Sequence, residues 1–249
     1  MKGFIRVVAA TMALGSASAI QAQTLPPASD VIARYITAIG GRDALLKVKS
    51  MTQKQTMELP AAGISADMEV STAAPNLLAS RVSIAGIGEV LSGFNGTVGW
   101  DVNPMAGSRL LEGKELEQLR ENSDFYGSRM FPAEQYSAME VLEQLDFNGE
   151  KAFKVKMTRK SGDIVTHYFS STSGLLIGSE ATQVGAMGEI TTQTRYSDFA
   201  DFGGLKLAKK SETTMGPNVL VMTVKSITFN DVPPTAFEVP ASIKPLISK

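Results

Sequence analysis

The chain has 249 residues, with 24 basic and 25 acidic side chains, a single histidine and no cysteine. The near-neutral balance argues against nucleic acid or an anionic membrane surface as a partner. The missing cysteines exclude disulfides, a thiolate nucleophile and a lipid-accepting cysteine, so a chain of this length must be held together by its buried core.

The N-terminus reads as a secretory signal peptide over residues 1–22. Lys2 and Arg6 precede an apolar run, Val7–Ile20, which closes on the small-residue pattern Ile20-Gln21-Ala22. About 14 apolar residues fall short of the roughly 20 that a membrane helix needs. Removing the leader takes away two bases and no acid, leaving 22 basic residues against 25 acidic. No other apolar run approaches spanning length. The expectation is a soluble periplasmic protein, not lipid-anchored, with residues 23–249 forming one domain.

After Pro26-Pro27, Ser29 or Asp30 can cap a helix in which Val31, Ile32, Tyr35, Ile36 and Ile39 follow helical spacing. Gly40-Gly41 ends it, and a second short helix is expected over Arg42–Lys49. From Ser50 the pattern changes to strands at Met51–Leu59, Ile64–Ser71 and Leu77–Ile84, punctuated by Pro60, Gly63, Pro75 and Gly86.

Gly88–Pro104 reads as a β-hairpin about Asn95-Gly96, a pair suited to a two-residue turn. That turn sets Phe94 opposite Thr97, Leu91 opposite Trp100 and Glu89 opposite Val102. One side of the hairpin then carries Leu91, Trp100 and Val102, and the other Val90 and Phe94. Both sides are mixed, as expected of a curved sheet covered on one face and partly covered on the other. Val90, Leu91, Phe94, Trp100, Val102 and Met105 are therefore the candidate ligand-lining residues. After Pro104-Met105-Ala106-Gly107 a thinly amphipathic helix is expected over Glu112–Asn122, then an irregular stretch over residues 123–137.

The second half repeats the strand pattern at Ala138–Phe147, Ala152–Arg159, Ile164–Ser170, Leu175–Thr182, Glu189–Phe199, Leu205–Met215 and Val219–Phe229. This spacing indicates an antiparallel meander of about eleven or twelve strands, in a mainly β (α+β) fold with N-terminal helices and one mid-chain helix. Prolines 233, 234 and 240 exclude a further central strand.

Catalytic patterns are sparse. His167 alternates with Val165 and Phe169 on one strand and has no G-x-S-x-G elbow beside it, which favours a core histidine over the base of a Ser-His pair. Asp198 and Asp201 can act as acid and base, but a strand running into Gly203-Gly204 also uses Asp for local backbone bonds. One histidine, no cysteine and no D-x-D-x-D loop leave no metal signature, and no cofactor is expected. Ten methionines after the leader, at 51, 57, 68, 105, 130, 139, 157, 187, 215 and 222, suit a surface that accepts variable apolar partners.

Several stretches carry a resemblance: Tyr35-Ile36-Thr37-Ala38-Ile39-Gly40-Gly41, Gly96-Thr97-Val98-Gly99-Trp100, Asn103-Pro104-Met105, Gly174-Leu175-Leu176, Tyr196 ahead of Gly203-Gly204-Leu205, and Phe229-Asn230 with Phe237-Glu238-Val239-Pro240. With this order of elements they resemble the periplasmic lipoprotein-carrier superfamily, the LolA/LolB-like and LppX-like half-barrels of the "outer membrane lipoprotein-sorting protein" group. The resemblance implies a half-open barrel and a non-catalytic carrier or binder of a hydrophobic ligand, such as a lipid or lipoprotein acyl chain. Two alternatives stand beside it: an envelope protein-interaction module associated with a peptidase-like partner, and a hydrolase using Asp198, Asp201 or His167.

Overall fold

The computed structural model describes residues 24–247 apart from 186 and 187. The expected leader and Met187 lie outside the described residues. Two helices, α1 (Ala28–Ala38) and α2 (Arg42–Lys47), lead into six strands: β1 (Ser50–Leu59), β2 (Ile64–Ala73), β3 (Leu77–Ile84), β4 (Gly88–Phe94), β5 (Gly99–Asn103) and β6 (Gly107–Leu110). Helices α3 (Gly113–Asn122) and α4 (Gly127–Met130) follow. Seven more strands complete the sheet: β7 (Tyr136–Phe147), β8 (Glu150–Arg159), β9 (Ile164–Ser170), β10 (Leu176–Gly185), β11 (Gly188–Phe202), β12 (Leu205–Met215) and β13 (Asn218–Phe229). A short helix, α5 (Lys244–Ile247), ends the described chain.

All the strands join one antiparallel sheet in the order β6-β5-β4-β3-β2-β1-β13-β12-β11-β10-β9-β8-β7. Two meanders are therefore sewn together along β1 and β13, and β6 and β7 are left as edges. The sheet does not close, and it curves into a half-open barrel. The chain must travel from one edge to the other between β6 and β7, and residues 111–135 do so across a single face. Leu111 N–H donates to Gly99 O (2.9 Å) and Phe125 N–H to Pro75 O (2.9 Å), both in the first meander, while α3 also packs against β10 in the second. This covered face is the concave one.

Helix α1 presents Val31, Ile32 and Tyr35 to a core built with Val155, Met157 and Phe169 of the second meander, and Phe131 beyond α4. Such spacing gives one apolar stripe that only burial satisfies. Gly40 ends the helix with φ +122°, and a Cβ there would sit 2.4 Å from Gly204 O. Only glycine fits this contact, where Lys206 N–H donates to Ile39 O (3.1 Å).

The structure corrects the sequence reading at the start of α1, whose N-cap is Pro27 with no side-chain cap bond from Ser29 or Asp30, and in three further places. The β4–β5 register is shifted by two residues, so that Leu91 pairs with Val102, Gly93 with Trp100 and Phe94 with Gly99. The cause is the Asn95 side chain, whose Oδ1 accepts from Thr97 N–H (3.1 Å) and Val98 N–H (2.8 Å). It closes a loop over residues 95–98 in place of a two-residue turn. Strand β6 was not expected, because Gly107–Leu110 has no alternation of its own and is held by pairing with β5. Helix α4 lies within the stretch read as irregular.

Candidate functional site

Between the concave face and the 111–135 cover lie two cavities. The larger, about 610 Å3, is bounded by α3 and the following segment on one side and by Val165, His167, Ser179, Ala181 and Tyr196 of β9–β11 on the other. Asn76, in the β2–β3 turn, closes it from the first meander. The smaller, about 290 Å3, runs under α1 and α4 along β1, β12 and β13, with Tyr35, Ile39, Arg129, Phe199, Leu207, Met222 and Val224 in its wall. Leu176 and Tyr196 line both. The two spaces thus adjoin at these side chains.

Register explains the lining. Val155, His167 and Ser179 are successive cross-strand partners, so all three point to the concave side. One row further, Tyr196 pairs with Ser211 and Ser211 with Met222. Tyr196 and Ser179 share a hydrogen bond across two strands (3.2 Å), and burial raises the Tyr196 pKa. The phenol remains neutral at ordinary pH.

The cover is fastened over the larger cavity by charge. Glu121 meets Arg159 at 2.6 Å, Arg159 also donates to Asn122 Oδ1 (3.2 Å), and Lys114 meets Asp163 at 2.9 Å. Gln118 adds bonds to Asp163 (3.3 Å) and to Thr182 O (3.4 Å). These contacts tie α3 to the β8–β9 turn and to β10. They are polar and partly solvated, a kind of fastening that opens at less cost than an apolar seam.

His167 faces this cavity against the Phe131 ring, with centroids 4.9 Å apart. Its Nδ1 is shut away from solvent without a hydrogen-bond partner, and burial, aided by the nearby Arg159 charge, lowers its pKa to about 3. A base so weak and so enclosed stays a neutral imidazole at neutral pH and takes up no second proton. Its cross-strand neighbour Ser179 bonds to Tyr196. Asp201 accepts from Gly204 N–H (3.1 Å), and Asp198 sits at φ +54° in a bulge, its exposed side chain 3.7 Å from Lys209. The residues weighed for hydrolysis thus have local structural roles here. Among the described residues no group of three His, Cys, Asp or Glu side chains is placed to hold a metal ion.

The six residues expected to line a ligand lie elsewhere. Leu91, Trp100 and Val102 share the face turned away from α3, with the Trp100 ring laid across Gly93, where a Cβ would be 2.5 Å from the indole. Val90 and Phe94 are on the covered face, but Phe94 is 0% exposed, sealed in the packed end of the sheet. Met105 is 82% exposed in the β5–β6 turn. None of them lines either cavity. The residues that do come from α1, β1, β9–β13, the cover, the β8–β9 turn and the adjoining ends of β7 and β8, with Asn76 from the β2–β3 turn. The signal available in sequence was the run of Phe125, Tyr126, Arg129 and Phe131 in the mid-chain excursion, a concentration of rings too high for a solvated loop.

No family model and no curated protein matches the sequence. Solved structures do resemble the fold. A LolA superfamily protein from Nitrosomonas europaea superposes with a TM-score of 0.58 at 12% identity, covering 86% of this chain and 99% of that one. The fold is LolA-like. A DUF1329 family protein from Desulfovibrio piger gives 0.57 at 11% identity over 85% of this chain and 95% of its own. A domain assigned to outer membrane lipoprotein sorting, from Vibrio parahaemolyticus, gives 0.53 at 11% over 89% and 98%. At such identities the likeness carries the architecture of this LolA-like half-barrel alone. No described helix is long and apolar enough to cross a membrane.

Proposed function

We propose that this protein is a non-catalytic carrier or binder of a hydrophobic ligand, exported to the periplasm and holding its cargo in a groove made of the two adjoining cavities under the 111–135 cover. The observation that carries the reading is the pair of cavities adjoining at Leu176 and Tyr196, with a combined size in the ordinary range for small-molecule sites, roughly 300–1,000 Å3. Leu176, Phe199, Leu207, Met222 and Val224 supply the apolar wall. Each methylene transferred there contributes about 0.8 kcal/mol before the costs of association. The LolA-like fold supports the reading, since a protein of that superfamily and a domain assigned to lipoprotein sorting share it. The charged fastenings of α3 give the cover a means of opening for loading and release. On this reading residues 23–249 act as one unit after loss of the leader.

The test is extraction of lipid from protein purified without detergent, together with displacement of a fluorescent acyl probe. Bound lipid or saturable one-to-one probe binding, lost in Ser179→Trp and Leu207→Trp, is the expected result. A protein partner recovered in stoichiometric amount, with neither lipid nor probe bound, would instead support the interaction-module alternative.

A further inference from the structure

Arg129 is built into the smaller cavity in an unusual way. The guanidinium stacks over the Phe125 ring, 4.7 Å from its centroid, and donates to Phe125 O (2.5 Å) and to the Met51 sulfur (3.7 Å). Among the described residues no carboxylate lies within ion-pair distance of it. The side chain is half-buried and lines the cavity. Burial pulls its pKa below the ordinary value, so its charge is held where the surroundings disfavour it. The one acidic group whose charge reaches it is the Tyr35 phenol, and burial pushes that up to about 12. Tyr35 is therefore neutral at ordinary pH and leaves the cation uncompensated.

The rest of the wall points the same way. The charged residues lining this cavity are Arg129, Lys206, Lys209 and Lys210, all basic. Lys209 and Lys210 have carboxylate partners in Asp198 and Glu212. Arg129 has none, and a buried cation left unpaired is destabilising unless an anion comes to it. A guanidinium with spare N–H donors in a low-dielectric pocket suits a carboxylate or phosphate, which it can grip with two parallel bonds. Beyond it, Leu176 and Tyr196 lead into the larger cavity.

Resting on the reading of the groove as a ligand site, we propose that Arg129 receives the head group and that the preferred cargo is a single-chain anionic amphiphile. Its carboxylate or phosphate sits on the guanidinium, and its hydrocarbon runs past Leu176 and Tyr196.

Delipidated protein is titrated with dodecanoate, dodecyl phosphate and dodecanol in competition with a neutral fluorescent acyl probe, alongside Arg129→Gln and Arg129→Lys. The wild type should bind both anions roughly 10- to 100-fold more tightly than the alcohol, the advantage of charge-assisted bonds in a desolvated site. R129Q should bring the three ligands level, and R129K should keep part of the preference. Ligand-free R129Q should melt no lower than wild type, because it loses an unpaired buried charge, whereas a purely structural arginine would leave a weaker fold. Equal binding of the three ligands by wild type would overturn the anion proposal and leave the hydrophobic groove standing. Binding of none would overturn the groove itself. Should R129Q fail to fold, the wild-type comparison still decides, repeated below the fatty acid's own pKa, where dodecanoate must lose its advantage over dodecanol.

Discussion

At the β4–β5 hairpin the cover meets the sheet through apolar packing, whereas over β9–β11 it meets the sheet through polar contacts around a cavity. A methyl group placed on Gly99 would lie 2.9 Å from both Leu116 and Leu119 of α3, and Phe94 beside it has no exposed surface. A few residues along, the same helix turns Lys114, Gln118 and Glu121 toward the second meander, and there contact is made by ion pairs and hydrogen bonds around a cavity. One short helix thus has a packing side and a bridging side. Its thin amphipathicity in sequence is the mark of that division of labour. The filled end anchors the cover, and the open end encloses the cavity proposed as the ligand site.

The contrast predicts that substitutions at the filled end change stability, and those at the open end change binding. The largest effect should come from Trp100→Ala, which empties the space over Gly93 and should cost about 3–5 kcal/mol in chemical denaturation, without altering probe affinity in the protein that remains folded. Gly93→Ala comes next. Its Cβ would meet the indole at 2.5 Å and Leu78 O at 2.8 Å, and the backbone oxygen cannot rotate away, so a loss of about 1–3 kcal/mol is expected by the same assay.

His167 gives an effect of pH on the open end. Its pKa in the folded protein is about 3, against an ordinary value near 6.5, so the unfolded chain binds the proton that the native state refuses. Its contribution to stability is present above pH 6.5 and is lost as pH falls toward 3, with a slope approaching about 1.4 kcal/mol per pH unit. Because it is the only histidine, His167→Phe should flatten the stability profile across that window, as urea midpoints at several pH values would reveal. An unchanged profile would mean that the ring is solvated in the native state. The smallest change should follow Glu121→Gln, which leaves Arg159 without its carboxylate. A partly exposed pair of this kind contributes on the order of 1 kcal/mol, so faster amide exchange over residues 113–122, with little change in global stability, is the expected outcome.

Much of the architecture is legible in the sequence, because strands separated by Asn-Gly, Ser-Gly-Asp and Gly-Gly turns declare themselves by periodicity and punctuation. Register is less so. Asn95-Gly96 carries a strong two-residue turn signal, yet the Asn95 carboxamide bonds two backbone amides further on and lengthens the loop, and Trp100 lands on Gly93 in place of Leu91. Strand β6 is invisible by itself, since four residues without alternation become a strand only when β5 is beside them. The site was hardest to read. Its wall joins Tyr35, Arg129, Leu176, Tyr196 and Met222, which are brought together by strand order and by a cover that spans both sheet edges, and no local pattern encodes either. The hairpin holds the only tryptophan, and packing uses that ring to seal the sheet.

The space under the cover is proposed to hold a hydrophobic ligand. Native mass spectrometry of protein purified without detergent, before and after delipidation and with an added acyl probe, tests it most directly. One bound lipid-sized mass or one bound probe per chain, absent in Ser179→Trp, is the expected result. A protein that carries no lipid and takes up no probe, while Ser179→Trp folds and behaves like the wild type, would contradict it.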